Sequence, residues 1–150
     1  MDRILVQEAD FDPGAEMAAL TAGDAAAGAV ASFVGLVRGD AEGVSAMTLE
    51  HYPGMTEKSL ADIVAAARDR WQLNRVTVIH RVGRLLPGDR IVLVAVSSSH
   101  RGEAFAACEF VMDYLKTRAP FWKREETPSG ARWVDARESD DRARERWQRE

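Results

Sequence analysis

Apolar residues recur along the chain with two spacings, every second position and every third or fourth, and the alternation between them predicts its elements. "RILVQEA" near the start reads as a short first strand. "FDPGAEMAAL" follows, with Asp12 as an N-cap and Pro13 at the first helical position, so a short helix is expected there. "GAVASFVGLVR" is nearly all apolar and predicts a largely buried strand that ends at Arg38. After the glycine-bounded loop "GDAEGVS" comes another strand, "AMTLEHY", closed by a turn at Pro53-Gly54. From Thr56 onward Leu60, Ile63, Val64, Ala67 and Trp71 keep helical spacing and mark a core-facing stripe.

The second half repeats the mixture. "RVTVIHRVG" and "RIVLVAVSS" are rich in β-branched residues and joined through "RLLPGD", which predicts an antiparallel hairpin. A long helix should run from about His100 until Pro120 stops it, because the residue before proline disfavours helical dihedrals. "FWKREET", the turn "PSG" and "ARWVDA" predict a second hairpin. The tail from about residue 138, "ESDDRARERWQRE", is dense in charges of both signs and is expected as a solvated helix or a disordered end. No repeat or interdomain linker interrupts the pattern. The expectation is one α+β domain over residues 1–150.

Composition narrows the functional classes. The chain has 150 residues, 46% hydrophobic and 29% charged, which suits a globular protein with a sizeable core. A net charge of −4 argues against a general nucleic-acid binder. One cysteine, Cys108, excludes an internal disulfide and a cysteine-rich metal site. "MDRILVQEAD" lacks the order of a signal peptide, and "AAAGAVASFVGLV" is too short to span a bilayer, so a cytoplasmic protein away from membranes is expected.

Four stretches could carry chemistry. In "SSSHRGEAF" a strand enters a helix whose start holds His100 and Arg101. Helix N-termini attract anions, so a phosphate or carboxylate site is one reading. The other, slightly favoured locally, is that Ser98 or Ser99 caps the helix while His100 and Arg101 face water. In "GLVRGD" Arg38 ends a strand, which is a weak signal alone. In "DYLKTRAPFWKRE" Lys116 sits on the border of the buried helical stripe, near the helix end, where the dipole already favours a cation. Beyond Pro120, strand alternation puts Phe121, Lys123 and Glu125 on one face and Trp122, Arg124 and Glu126 on the other. A lysine drawn partly out of water can serve as acid, base or nucleophile; a solvated hairpin with Lys123 paired to Glu125 is the alternative. In "LEHYPGMTEKSL" Glu50 and Tyr52 face away from His51, which favours a structural turn. Cys108 falls among Phe105, Val111 and Met112, where a buried, inert thiol is the ordinary outcome.

Taken together, "LEHYPGMTEKSL", "RVTVIHRVGRLLPGD", "SSSHRGEAF", "DYLKTRAPFWKRE" and "RWVDARESD" resemble, in order, the large catalytic subunit family of molybdopterin synthase. The resemblance runs from about Phe33 to Asp140 and is most specific through "MDYLKTRAPFWKRE". It implies an α/β hammerhead-type fold with an additional antiparallel β portion. It also implies a homodimer, with a small ubiquitin-like sulfur-carrier subunit at each end. Sulfur would pass from the carrier's C-terminal thiocarboxylate to cyclic pyranopterin monophosphate, in molybdenum cofactor biosynthesis, with no metal or cofactor held by this chain.

Residue by residue, the resemblance puts the substrate pocket at Leu36, Val37 and Arg38, at His100 and Arg101, at Lys116, and at Lys123, Arg124 and Glu125. Arg137 matches a position that reaches the neighbouring subunit's site, and Leu36 stands where some relatives carry lysine. Lys116 and Lys123 are the implied catalytic residues, flanking the thiocarboxylate. Two other classes share these features: a non-catalytic adaptor that docks a ubiquitin-like partner, and a pterin- or nucleotide-binding regulator. Lysine-dependent turnover separates the enzyme from both.

Overall fold

The computed structural model describes residues 2–39, 43–134 and 138–149. Its elements follow in the order β1 (Arg3–Gln7), α1 (Pro13–Thr21), β2 (Ala29–Leu36), β3 (Ala46–His51), α2 (Met55–Arg70), β4 (Val76–Arg81), β5 (Gly83–Leu85), β6 (Arg90–Ser98), α3 (Arg101–Arg118), β7 (Phe121–Thr127), β8 (Gly130–Val134) and α4 (Glu138–Glu145), closed by a 3₁₀ turn at Arg146–Arg149. The α+β expectation holds. Local signals act as predicted: Asp12 Oδ1 accepts from the Ala15 amide at 3.2 Å, and α3 ends two residues before Pro120.

Two four-stranded sheets organise the chain. The first has the order β1-β4-β6-β2, with β1 parallel to β4 and the other pairs antiparallel. Its central strands are apolar on both faces, as strands covered on both sides must be. Val76 and Val78 of β4 and Val92, Val94 and Val96 of β6 belong to the core built with α2 and α3. Ile79, Leu93 and Ala95, one residue out of phase, join Phe11 and Leu20 beside α1. Leu60 of α2 is 1% exposed; truncating such a leucine to alanine costs about 2–5 kcal/mol.

The second sheet, β5-β3-β7-β8, is antiparallel throughout and corresponds to the additional β portion. Here the predicted hairpin acquires a detour. β4 and β6 do pair antiparallel, but the connection between them lends β5 to β3 in the other sheet. Gly83, at φ +90°, makes the turn into β5.

Two expectations change. β2 is not largely buried: Val30, Phe33 and Leu36 are 40%, 43% and 53% exposed. The reason is sheet order, since among the described strands β2 lies at an edge and pairs with β6 alone. The tail is a docked helix over its described residues, not a free end. Trp147 packs edge-on against Trp71 and Phe110, and its indole N–H donates to Asp113 of α3 at 2.7 Å. Arg146 adds ion pairs to Asp113 and Glu109.

Candidate functional site

Three segments meet where α3 ends. The Thr56 hydroxyl, at the start of α2, donates to the Pro120 carbonyl at 3.0 Å and accepts from the Tyr52 amide at 3.0 Å. This buried bond fixes the link from α3 to β7, so the residues before and after Pro120 keep a set relation. Below the link lies an open pocket of about 410 Å³ between the two sheets. Arg38 and Leu36 come to it from the end of β2, Lys116 and Leu115 from α3, and Phe121, Lys123 and Glu125 from one face of β7. Met47, Leu49, Ile91 and Val134 supply apolar wall.

Five of the predicted residues therefore share a cavity: Leu36, Arg38, Lys116, Lys123 and Glu125. Strand alternation placed the β7 members correctly. Glu125 is 9% exposed and faces Arg132 across the hairpin, with 3.8 Å between carboxylate and guanidinium. So Glu125 pairs with Arg132 rather than with Lys123.

The other predicted residues lie elsewhere. Val37 is buried, and its backbone bonds Asp89 and Gly88 while its side chain joins the core. Arg124 occupies the opposite face of β7, with its guanidinium 5.9 Å from the Trp133 ring centroid. Arg137 lies outside the described residues. His100 is the N-cap of α3 and makes no side-chain capping bond; Arg101 begins the helix, and both are exposed. Ser98 is not the cap, because its hydroxyl donates to the Gln72 carbonyl at 2.8 Å. Lys116 follows Arg101 by fifteen residues, which is about 22 Å along a helix. Within one chain, the His100-Arg101 pair and the lysine pocket are separate places.

Sequence reasoning missed His80 as a site residue. It lines the pocket, is 4% exposed, and stacks on Phe121 with ring centroids 3.8 Å apart and planes 19° from parallel. Its Nδ1 lies 2.8 Å from the Arg81 carbonyl, so Nδ1 carries the proton and donates. Its pKa is held down to about 4, chiefly by burial, with the nearby charges of Lys116 and His51 acting in the same direction and the backbone bond to Arg81 opposing them. The one signal in the sequence was a histidine in phase with Val76 and Val78 on an otherwise apolar strand face.

Cys108 is inert, as expected: burial pushes its thiol up to about 12, and Sγ lies 3.7 Å from the Val94 carbonyl. A larger groove of about 540 Å³ runs between α2 and α3, but none of the predicted site residues lines it. Among the described residues no cluster of His, Cys, Asp and Glu could hold a metal ion, and no helix is long and apolar enough to cross a membrane.

An α+β scaffold of two sheets, with a pocket at a helix–strand link lined by Arg38, Lys116 and Lys123, defines the class: a two-sheet α+β protein with a cationic pocket. Comparison with known proteins narrows this. The sequence profile described as "MoaE protein" matches residues 6–118. The chain is 68% identical over 149 residues to the molybdopterin synthase catalytic subunit of Ralstonia nicotianae, covering 98% of this chain and 85% of that one. A solved molybdopterin biosynthesis MoaE protein from Burkholderia ambifaria is 61% identical, with a TM-score of 0.86 over 99% of both chains. A solved complex of subunits 1 and 2 of molybdopterin-converting factor from Helicobacter pylori shares the fold, with a TM-score of 0.70 at 20% identity over 91% and 90% of the two chains. This chain belongs to the MoaE protein family.

Proposed function

We propose that this chain is the catalytic subunit of a molybdopterin synthase, a sulfurtransferase of molybdenum cofactor biosynthesis. In each of two rounds it takes one sulfur from the thiocarboxylated C-terminus of a small ubiquitin-like carrier and delivers it to cyclic pyranopterin monophosphate, and the two sulfurs form the dithiolene. The observation that carries this reading is the convergence of Lys116 and Lys123, from opposite sides of Pro120, on one pocket with Arg38. The high identity to a named catalytic subunit supports it independently. The reading puts the work in the cytoplasm.

The chemistry suits the pocket. The thiocarboxylate sulfur first bonds to a substrate carbon; water then attacks the acyl carbon of that thioester, the acyl C–S bond breaks, the sulfur stays on the substrate as a thiolate and the carrier leaves as a carboxylate. The acyl carbon passes through a tetrahedral oxyanion, which a lysine ammonium stabilises, while a second amine moves the proton of the attacking water. Lys116 and Lys123 take these two roles, with Lys116 the more critical. Arg38 adds charge for the carrier's terminus or the substrate's phosphate. Leu36, with no charge of its own, contributes apolar contact at the rim.

His100 and Arg101 also belong to the substrate site in this reading, yet they lie about 22 Å along α3 from Lys116. A homodimer resolves the separation if each protomer lends its His100-Arg101 end to its partner's lysine pocket. With one carrier on each protomer the assembly is a heterotetramer. Arg137 is assigned the same cross-subunit role.

The test mixes this chain with a thiocarboxylated carrier and cyclic pyranopterin and assays for the dithiolene. Product from the unmodified chain is expected; carrier binding without product would favour the adaptor. Co-assembled Lys116→Ala and Arg101→Ala chains test the shared site. A mixed dimer regains one complete site only if the two residues act across the interface. Activity no higher than the sum of the separate variants would place both functions within one chain.

A further inference from the structure

The wall of the pocket contains a residue that neither the family resemblance nor the chemistry above has used. His80 reaches the pocket from β4, in phase with Val76 and Val78, so it comes from the most buried part of the first sheet. Its ring cannot rotate freely. One face stacks on Phe121 at 3.8 Å, and Nδ1 is held by the Arg81 carbonyl at 2.8 Å. With the proton fixed on Nδ1, the other nitrogen presents a lone pair. No described residue donates to Nε2, nor is it a sealed, unsatisfied atom, since the described atoms of that kind are on Arg124 and Arg144. The remaining place for Nε2 is the pocket surface that His80 helps to line.

We propose that His80 is a positioning residue for Lys116: its Nε2 accepts a hydrogen bond from the lysine ammonium during the reaction and aims it at the reacting carbon. This rests on the sulfur-transfer reading. The two side chains line the same pocket, and the Lys116 charge is already felt at the ring. Lysine has four flexible torsions and three N–H donors, so one bond to a fixed acceptor orients it and leaves two donors for the reacting groups. Histidine suits the post because burial keeps it neutral. A charged ring would repel the ammonium, and a carboxylate would hold it in an ion pair. The same ring, through its stack on Phe121, braces the start of the strand that carries Lys123.

His80→Phe keeps an aromatic ring over Phe121 and removes the acceptor. In the complete complex with thiocarboxylated carrier, the single-turnover rate should fall about tenfold or more, while carrier affinity and KM for the pterin stay within about twofold. His80→Gln, which can return an acceptor, should recover a substantial part of that rate. A double-variant cycle supplies the second readout: His80→Gln should slow the wild type but have no further effect on the residual rate of Lys116→Ala. If His80→Phe fails to fold, the cycle decides alone. Equal slowing by His80→Gln in both backgrounds, or a folded His80→Phe as fast as wild type, would overturn the role. Absence of product from the unmodified complex is a different result; it would defeat the sulfur-transfer reading and this inference with it.

Discussion

At its amino-terminal end α3 presents His100 and Arg101 to solvent; at its carboxyl-terminal end it presents Lys116 to a pocket and carries Arg118. A helix has unsatisfied N–H groups and positive potential at its start, and carbonyls and negative potential at its end. Cations at the end are therefore favoured by the fold itself. Cations at the start work against it, and the partner they suit is an anion from outside. The same element thus holds two basic places with different meanings: the lysine at the end has a structural reason beside the chemical one we propose, whereas the arginine at the start has no such support from the helix dipole.

The largest test of this contrast is Lys116→Ala. Product formation in a single turnover should drop by about a hundredfold or more, the scale of a lost oxyanion donor or proton-transfer group. Carrier binding and dimerisation should persist, and stability should fall by no more than about 1 kcal/mol from the lost dipole interaction. Lys123→Ala should slow the step strongly but less. Wild-type-like product from Lys116→Ala would leave that end of α3 with a structural role alone.

The pocket end should also have an acid signature. His80 is neutral in the fold with a pKa of about 4, against an ordinary value of 6.5. Its folded pKa is the lower one, so the unfolded chain takes up the proton first as pH falls. Stability is unaffected by this group above about pH 6.5 and declines between there and about pH 4, by about 3 kcal/mol in total. Denaturant titrations at several pH values should show that extra decline in wild type and not in His80→Phe.

Trp147→Ala probes the clamp on the middle of α3. It removes two edge-on ring contacts and the bond to Asp113, so a loss of about 2 kcal/mol is expected, with turnover per folded molecule nearly unchanged. The smallest effect on folding belongs to Arg101→Ala. Stability should shift by only a few tenths of a kcal/mol, toward greater stability if anything, while pterin affinity measured by calorimetry falls about tenfold. Unchanged affinity would assign the phosphate to other residues.

What the sequence determined by itself was local. Asp12-Pro13 started α1, Pro120 stopped α3, and period-two alternation put Phe121, Lys123 and Glu125 on one face of β7, because caps, proline sterics and strand pleat act over a few residues. The family motifs added which of those residues to follow. Tertiary structure decided the rest. Whether "GAVASFVGLVR" is buried depends on its place at a sheet edge, and nothing in its own apolar run encodes its neighbours. The docking of the charged tail depends on Trp147 meeting Trp71 and Phe110, residues far away in the chain. His80 reached the pocket because β4 pairs with β6 while β7 folds across to stack Phe121 on its ring. His100 and Arg101 were parted from Lys116 by the rise of a straight helix, which motif order cannot reveal. Local rules set each segment's shape, but the long-range pairing of strands and helices selects which side chains share a cavity.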